Sequence, residues 1–195
     1  MVKKITTTYI LCGGNTRSYE SFGVNLAGVV GNLVENPRIL NCFFAKDEVR
    51  WQEEFSYYTG FYEKYFSEFS REMATFDNFL EQIKNSDLIF FYGGSTATLM
   101  KNVSRYKNLQ EALRGKIVIG SSAGANFLSQ YYLSHSGIAE GLKILPFNIV
   151  VHYNSENESE SRTQADVDKL LRQFPNTPTL LLREGEFSIF QKGDK

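Results

Sequence analysis

The chain has 195 residues, of which 42% are hydrophobic, and a formal net charge of −1. This length is enough for one substantial core, so we expect residues 1–195 to form a single α/β domain. The basic residues are scattered along the chain, which argues against nucleic acid or an anionic membrane as a partner.

The first residues, MVKKITTTYILCGGN, contain only a short apolar run interrupted by threonines. That run is too short for a signal-peptide core or a membrane span, so we expect a cytoplasmic protein. Cys12 and Cys42 are too few for a disulfide framework and are interpreted as small core residues. With only two histidines and no clustered cysteines, we expect neither a metal nor an organic cofactor.

Short apolar runs alternate with amphipathic segments along the chain. In the first half, the pattern predicts strand Ile5–Leu11, strand Arg38–Ala45, helix Glu48–Phe69, helix Phe76–Lys84 and strand Asp87–Tyr92. In the second half, the pattern predicts helix Thr96–Tyr106, strand Lys116–Ile119, helix Ala123–Leu133, and a turn and apolar run in Gly137–Val151. It then predicts a solvated loop Ser155–Ser161, helix Arg162–Gln173, strand Thr179–Leu182 and one arm of a hairpin in 187–195. This alternation is typical of a three-layer α/β sandwich with a mostly parallel sheet.

Ligands of such sheets bind beyond the carboxyl ends of the strands. This rule turns the predicted strands into a short set of candidate site residues. They are Gly13 and Gly14, Gly93 and Gly94, residues 120–124, His152 and Glu184.

Two adjacent serines, Ser121 and Ser122, lie between a predicted strand and a predicted helix in KIVIGSSAGANFLSQ. In the G-x-S-x-G elbow, small residues two positions either side of a nucleophilic serine let the chain turn sharply. Centred on Ser122 the frame reads GSSAG and fits, whereas centring on Ser121 would put Ile119 at one flank. Ser122 is therefore the candidate nucleophile, and a phosphate-binding glycine turn is the alternative.

A nucleophilic serine needs a base, and the chain offers two histidines. A helix from Ala123 to Leu133 would carry His135 roughly 15–20 Å from Ser122, at about 1.5 Å per residue. His152 instead ends the apolar run NIVV, at the rim where the strand ends should meet. We predict that His152 is the base and that His135 lies on the surface.

An acid should orient this imidazole and stabilise its charged form. The acids of the polar loop and of the next helix are interpreted as solvated: Glu156, Glu158, Glu160, Asp166 and Asp168. Glu184 follows TLLLR at another strand end, beside Gly185, which allows a sharp turn. Topology therefore favours Glu184. The resulting order of serine, histidine and glutamate differs from that of the α/β-hydrolases.

Four segments resemble the aspartyl dipeptidases (dipeptidase E) and the related cyanophycinases. They are DLIFFYGGSTATLMK, IVIGSSAGANFLS, LPFNIVVHYN and LLLREGEFSIF. The resemblance implies a fold like the glutamine amidotransferase (flavodoxin-like) domains. It also implies a catalytic serine, histidine and glutamate at Ser122, His152 and Glu184, in agreement with the choice made from topology.

The same resemblance implies an oxyanion hole formed by the N–H groups of Gly94 and Ala123. It also suggests Arg162 as the partner of a substrate aspartate, since a guanidinium binds a carboxylate through two parallel hydrogen bonds. A solvated arginine at a helix start is the alternative for Arg162. Where the family often reads GGGNT, this chain reads YGGST at 92–96, which changes one wall of the pocket.

These observations lead to one expected function and two alternatives. We expect a serine peptidase that hydrolyses small peptides, with N-terminal aspartate (Asp-Xaa) dipeptides as substrates. The alternatives are a cyanophycinase-like hydrolase of aspartyl-linked peptides and a non-catalytic relative that binds a small anion through its glycine loops. Apart from a peptide substrate, the one further partner considered is a second copy of the chain, as a homodimer.

Overall fold

The computed structural model describes residues 5–193. Met1–Lys4, at the start of the threonine-interrupted segment, and Asp194 and Lys195, the end of the predicted hairpin arm, lie outside the described residues. No helix among the described residues is long and apolar enough to cross a lipid bilayer.

The fold is a three-layer α/β sandwich whose main sheet is mostly parallel. Its strands are β1 (Thr6–Cys12), β2 (Arg38–Cys42), β3 (Ser70–Met73), β4 (Leu88–Phe91), β5 (Ile117–Ser121) and β10 (Phe187–Gly193), in the order β10-β1-β5-β4-β2-β3. All neighbours in this sheet are parallel except β1 and β10. The residues of β4 are all buried, as expected of a central parallel strand with helices covering both faces.

The helices that flank this sheet are α1 (Glu20–Gly31), α2 (Trp51–Tyr65), α3 (Phe79–Asn85), α4 (Thr96–Val103), α5 (Leu109–Ala112) and α6 (Ala123–Asn126). Helix α7 (Gln164–Gln173) packs instead against a second sheet. Aromatic side chains fill much of the space between helix and sheet, and Tyr58 and Tyr92 pack with ring centroids 4.0 Å apart. Cys12 and Cys42 are unpaired and buried, as expected. Burial raises the pKa of both thiols, which suits core residues rather than nucleophiles.

A second, four-stranded sheet lies beside the first and was not predicted. It contains β6 (Tyr131–Ser134), β7 (Gly137–Glu140), β8 (Asn148–Val150) and β9 (Thr179–Leu181), in the order β7-β6-β8-β9. Strands β8 and β9 run parallel, with Val150 opposite Leu181. The two chain segments that follow these strands therefore leave the sheet at the same end, beyond the carboxyl ends of β8 and β9.

Three predicted elements are wrong in part. The helix expected over Ala123–Leu133 stops at Asn126, because the chain turns and enters β6, which pairs with β7 in a hairpin. The helix expected over Glu48–Phe69 ends at Tyr65, and a short edge strand, β3, follows it. The C-terminal strand, β10, pairs with β1 at one edge of the main sheet instead of forming a hairpin with a neighbouring segment.

Candidate active site

Ser122 lies on a sharp turn between β5 and α6. Its backbone angles, φ 50° and ψ −109°, fall outside the regions that ordinary residues occupy. The Ser122 N–H donates to the carbonyl of Cys12 on the neighbouring strand (3.0 Å), and the Ser122 carbonyl accepts from Asn126 N–H in α6 (2.9 Å). Bonds on both sides therefore hold the strained residue in place.

The glycines two positions either side of Ser122 are needed because the chain crosses itself closely here. A Cβ on Gly120 would collide with the carbonyl of Gly124, and one on Gly124 would collide with the carbonyl of Phe91. This is the physical basis of the G-x-S-x-G spacing that selected Ser122 over Ser121. Ser121 instead ends β5 and is buried.

His152 and Glu184 both come from the second sheet. His152 follows β8 and Glu184 follows β9, so the parallel pairing of these strands brings the two residues to the same end of the sheet. The sequence placed both residues correctly at strand ends but assigned them to the same sheet as Ser122. The N–H of His152 donates to the carbonyl of Gly13 (3.0 Å), which joins the second sheet to the end of β1 in the first.

The side chains of Ser122, His152 and Glu184 form one continuous chain of hydrogen bonds. His152 Nδ1 lies 2.8 Å from Glu184 Oε1, and His152 Nε2 lies 2.9 Å from Ser122 Oγ. An ionised carboxylate can only accept, so Nδ1–H donates to Glu184 and Nε2 accepts from the serine hydroxyl. The neutral imidazole is thus in the tautomer that can take a proton from Ser122.

Glu184 is held in its charged form. Burial by itself raises the pKa of this carboxyl, but hydrogen bonds from His152, Asn15 and Ser155 outweigh burial and hold the pKa below its ordinary value. Its side chain is only 9% exposed. At neutral pH a carboxylate therefore faces His152, where it can stabilise a protonated ring.

Gly93 and Gly94 lie beside Ser122 at the end of β4. A Cβ on Gly93 would approach the Cβ of Ser122 to 3.3 Å, which shows how close the two loops are. Gly94 has φ +146° and packs on the carbonyl of Ala45, so a side chain there would be strained as well as obstructed. Within residues 5–193, neither the Gly94 nor the Ala123 N–H donates to another backbone group.

A cavity of about 530 Å³ opens over Ser122 and His152. Arg162 lines it, and the Arg162 N–H donates to the carbonyl of His152 (3.0 Å). The guanidinium of Arg162 donates through Nη1 to the carbonyls of Glu160 (3.2 Å) and Ser161 (3.1 Å). Since a guanidinium carries five N–H donors, this leaves donors for a ligand.

The structure corrects the reason for setting His135 aside. The helix after Ser122 ends at Asn126 and does not carry His135 away; His135 lies in the β6–β7 turn and lines the same cavity as Ser122. Its side chain is 72% exposed and lies 3.9 Å from Glu160, and its ring makes no hydrogen bond with Ser122 among the described residues. Glu160, interpreted as solvated from the sequence, also lines the cavity.

Two residues that the sequence did not single out contact Glu184: Asn15 Nδ2 donates to its Oε2 (3.1 Å), and Ser155 is a further hydrogen-bond donor. Asn15 directly follows Gly13 and Gly14, which were flagged as a strand end, so extending that candidate by one residue would have found it. Ser155 lies in the polar loop and gives no such signal.

The arrangement has the parts of nucleophilic catalysis: a hydroxyl, a base, an acid that orients the base, and nearby N–H groups. In the described residues, no group of three or more histidines, cysteines and acids is placed to hold a metal ion. The hydroxyl, the ring and the carboxylate are the groups that attack by a serine on a carbonyl carbon requires.

Two solved structures share the fold. A candidate peptidase E protein from Listeria monocytogenes EGD-e aligns over 97% of this chain and 100% of its own, with 15% identity and a TM-score of 0.65. A peptidase from an acI-B1 Actinobacterium aligns over 97% of this chain and 88% of its own, with 19% identity and a TM-score of 0.60. Among curated proteins, none matches the sequence.

The sequence also matches the family model for peptidase family S51 over residues 50–195. That match covers most of the chain and includes the loops that carry Gly94, Ser122, His152, Arg162 and Glu184. The chain therefore belongs to peptidase family S51 and is a serine-type peptidase.

Proposed function

We propose that the protein cleaves small peptides through an acyl-enzyme on Ser122, with His152 as general base and Glu184 as the residue that orients it. The observation that carries this proposal is the continuous hydrogen-bond chain from Ser122 Oγ through both ring nitrogens of His152 to Glu184 Oε1. The strained backbone of Ser122 supports it further, since strain of this kind accompanies nucleophilic serines at strand-to-helix turns.

In the proposed reaction, Ser122 Oγ attacks the scissile carbonyl carbon while its proton passes to His152 Nε2. The carbonyl oxygen becomes an oxyanion, and the N–H groups of Gly94 and Ala123 stabilise it. His152 then gives its proton to the leaving nitrogen, the C–N bond breaks, and an ester on Ser122 remains. Water attacks this ester by the same route and releases the acid product.

The proposed substrate is an Asp-Xaa dipeptide, whose aspartate side chain pairs with Arg162. This rests on the position of Arg162 in the cavity over Ser122 and on the guanidinium donors that its bonds to Glu160 and Ser161 leave open. A guanidinium suits a carboxylate because two parallel hydrogen bonds fix both its distance and its plane.

Hydrolysis of β-linked aspartyl peptides, as in cyanophycinases, is a second candidate. The cavity at Ser122 shares Leu133, His135 and Arg162 with an adjoining groove of about 610 Å³ against α7. That extra space favours a substrate larger than a dipeptide. Comparing an α-linked Asp-Leu dipeptide with its β-linked isomer distinguishes the two candidates.

A fluorophosphonate probe tests the nucleophile, because it reacts only with an activated serine. We expect labelling of the wild type, with the adduct on the Ser122 peptide by mass spectrometry, and loss by at least about 10³-fold in Ser122→Ala. Ser121→Ala is the matched control and should label like the wild type. Absence of labelling in the wild type between pH 6 and 9 would refute the proposal and favour a non-catalytic anion-binding protein.

A further inference from the structure

The turn between β1 and α1 contacts both His152 and Glu184, although none of the proposed catalytic residues lies in it. The carbonyl of Gly13 accepts from the N–H of His152 (3.0 Å), and the carbonyl of Gly14 accepts from the N–H of Gly185 (3.1 Å). The same few residues therefore hold the backbones that carry the base and the acid.

Only one side chain of this turn reaches the carboxylate. Glu184 uses Oε1 for His152 (2.8 Å), and its other oxygen, Oε2, accepts from Asn15 Nδ2 (3.1 Å). A carboxylate that is bound through both oxygens to two different elements cannot rotate about its last bond without losing one of them. The Asn15 contact thus fixes the plane in which Glu184 meets the imidazole.

A further contact determines which way the Asn15 amide points. Ser18 Oγ donates to Asn15 Oδ1 (2.8 Å), so the amide oxygen faces Ser18 and the amide nitrogen faces Glu184. The reverse orientation would place two acceptor oxygens against each other and is excluded by this hydrogen-bond pattern.

The backbone at Asn15 also suits this residue type. Its angles, φ 47° and ψ 33°, are left-handed, a conformation in which asparagine, aspartate and glycine are the least strained residues. Aspartate and glycine can therefore replace Asn15 without a large backbone penalty, which makes its side chain open to a clean test.

We propose that Asn15 is a positioning residue of the active site: its amide, oriented by Ser18, binds the oxygen of Glu184 that does not contact His152, and holds this carboxylate charged and in the orientation in which it meets His152. The inference rests on the proposed roles of Ser122, His152 and Glu184. Asn15 acts through Glu184, and no contact with substrate is assigned to it. The lowered pKa of Glu184 agrees with a hydrogen bond that favours the charged form.

The other groups around His152 and Glu184 are unchanged in every variant described below. Ser155 is the remaining donor to Glu184. The charged or titratable side chains that share the cavity with His152 are Tyr132, His135, Glu160 and Arg162, and Arg183 and Glu186 flank Glu184 closely in the chain.

Nuclear magnetic resonance of the histidine rings tests the contact without needing activity. The chain has two histidines, so His135, which is exposed, serves as an internal reference for His152. Protonation of Glu184 should change the chemical shifts of the His152 ring, because Glu184 contacts Nδ1. A plot of these shifts against pH should therefore show a step at acid pH that marks the protonation of Glu184. In Asn15→Asp, a second carboxylate beside Oε2 should move this step to higher pH by about one unit.

Two further variants complete the titration. Asn15→Gly removes the donor without adding charge and should move the step in the same direction by less. Asn36→Asp is the matched control, because Asn36 is exposed, has a left-handed φ of 48° and lies before β2, which β5 and β4 separate from β1 in the sheet. Coincidence of the steps in wild type, Asn15→Asp and Asn36→Asp would overturn the proposal.

The rate of fluorophosphonate labelling gives the functional result. In Asn15→Asp the acid limb of the labelling profile should move to higher pH, with much of the rate recovered on its plateau. A purely structural role would lower the rate equally at all pH values and leave the limb in place, which would also overturn the proposal. If the wild type itself is not labelled, the proposed function fails, and the ring titration still decides whether Asn15 holds Glu184.

Discussion

The backbone of Gly14 lies directly against the imidazole of His152. A Cβ atom at position 14 would come within 2.6 Å of His152 Nε2 and 3.0 Å of Nδ1. Atoms this close must move apart, so the ring can keep its place between Ser122 and Glu184 only while residue 14 has no side chain. Gly14 also has φ +113°, a backbone angle that residues with a side chain rarely adopt.

Gly14→Ala should therefore displace the base. A shift of about 1 Å is enough to cost on the order of 10²-fold in rate, and we expect a loss of at least this size in fluorophosphonate labelling. Gly28→Ala is the matched control, since position 28 is an exposed helix site with open space around it. That variant should label normally and be more stable by roughly 0.5–1 kcal/mol. Normal labelling of Gly14→Ala would contradict the prediction.

The lowered pKa of Glu184 predicts how stability depends on pH. A carboxyl whose pKa is lower in the folded than in the unfolded protein stabilises the fold above its unfolded value, near 4.5, and loses that contribution as the pH falls through the folded value. Urea unfolding should show the wild type to be more stable than Glu184→Gln at pH 7, with the difference shrinking towards pH 3.

The control for this series is Glu81→Gln, which alters an exposed glutamate that pairs with Lys84 on the surface. The free energy of unfolding of Glu81→Gln should stay close to that of the wild type at every pH, because exposed ion pairs contribute little to stability. A difference between wild type and Glu184→Gln that is constant with pH would show that Glu184 is not charged preferentially in the folded state.

Arg162→Ala should reduce the preference for aspartate. A hydrogen-bonded pair between a guanidinium and a carboxylate contributes about 1.5–3 kcal/mol, so we expect the ratio of kcat/KM for Asp-Leu over Ala-Leu to fall by about 10–100-fold. The ratio should be unchanged in Arg172→Ala, which alters an exposed arginine in the last turn of α7. Equal rates on Asp-Leu and Ala-Leu in the wild type would refute the role of Arg162.

Substitution of Glu54 should change the stability of the fold at a place remote from the proposed catalytic residues. It is 2% exposed and forms ion pairs with Arg17, Lys46 (3.2 Å) and Arg50 (3.9 Å). Glu54→Gln leaves these cations without a buried partner, but they can still reach solvent, so we expect a loss of about 1–3 kcal/mol in the free energy of unfolding. Its neighbour Glu53 is 74% exposed, and Glu53→Gln should change stability by less than about 0.5 kcal/mol. Equal effects of the two substitutions would argue against this account.

Local patterns predicted the four inner strands of the main sheet, β1, β2, β4 and β5, because buried strands are short apolar runs bounded by glycines and polar residues. They failed from Ala123 to Val151. The residues of β6, YYLS, suit either a helix or a strand, and pairing with β7 and β8 decides between them. The edge strand β3, SREM, is too polar to give any signal of its own.

The sequence by itself predicted Ser122 as the nucleophile of the proposed site. The requirement for glycine at position 120 arises within five consecutive residues, because a Cβ there would collide with the carbonyl of Gly124. The G-x-S-x-G pattern can therefore be recognised in the sequence. The strand-end positions of His152 and Glu184 were likewise visible, because hydrophobic runs that stop abruptly mark the rim of a sheet.

Only the tertiary structure decided how these residues meet. His152 and Glu184 reach Ser122 from a second sheet, through the parallel pairing of β8 with β9 and the bond from His152 to Gly13. The contact of Asn15 with Glu184 joins residues 169 positions apart. Contacts of this kind depend on how separate elements pack, and no local pattern of residues encodes them.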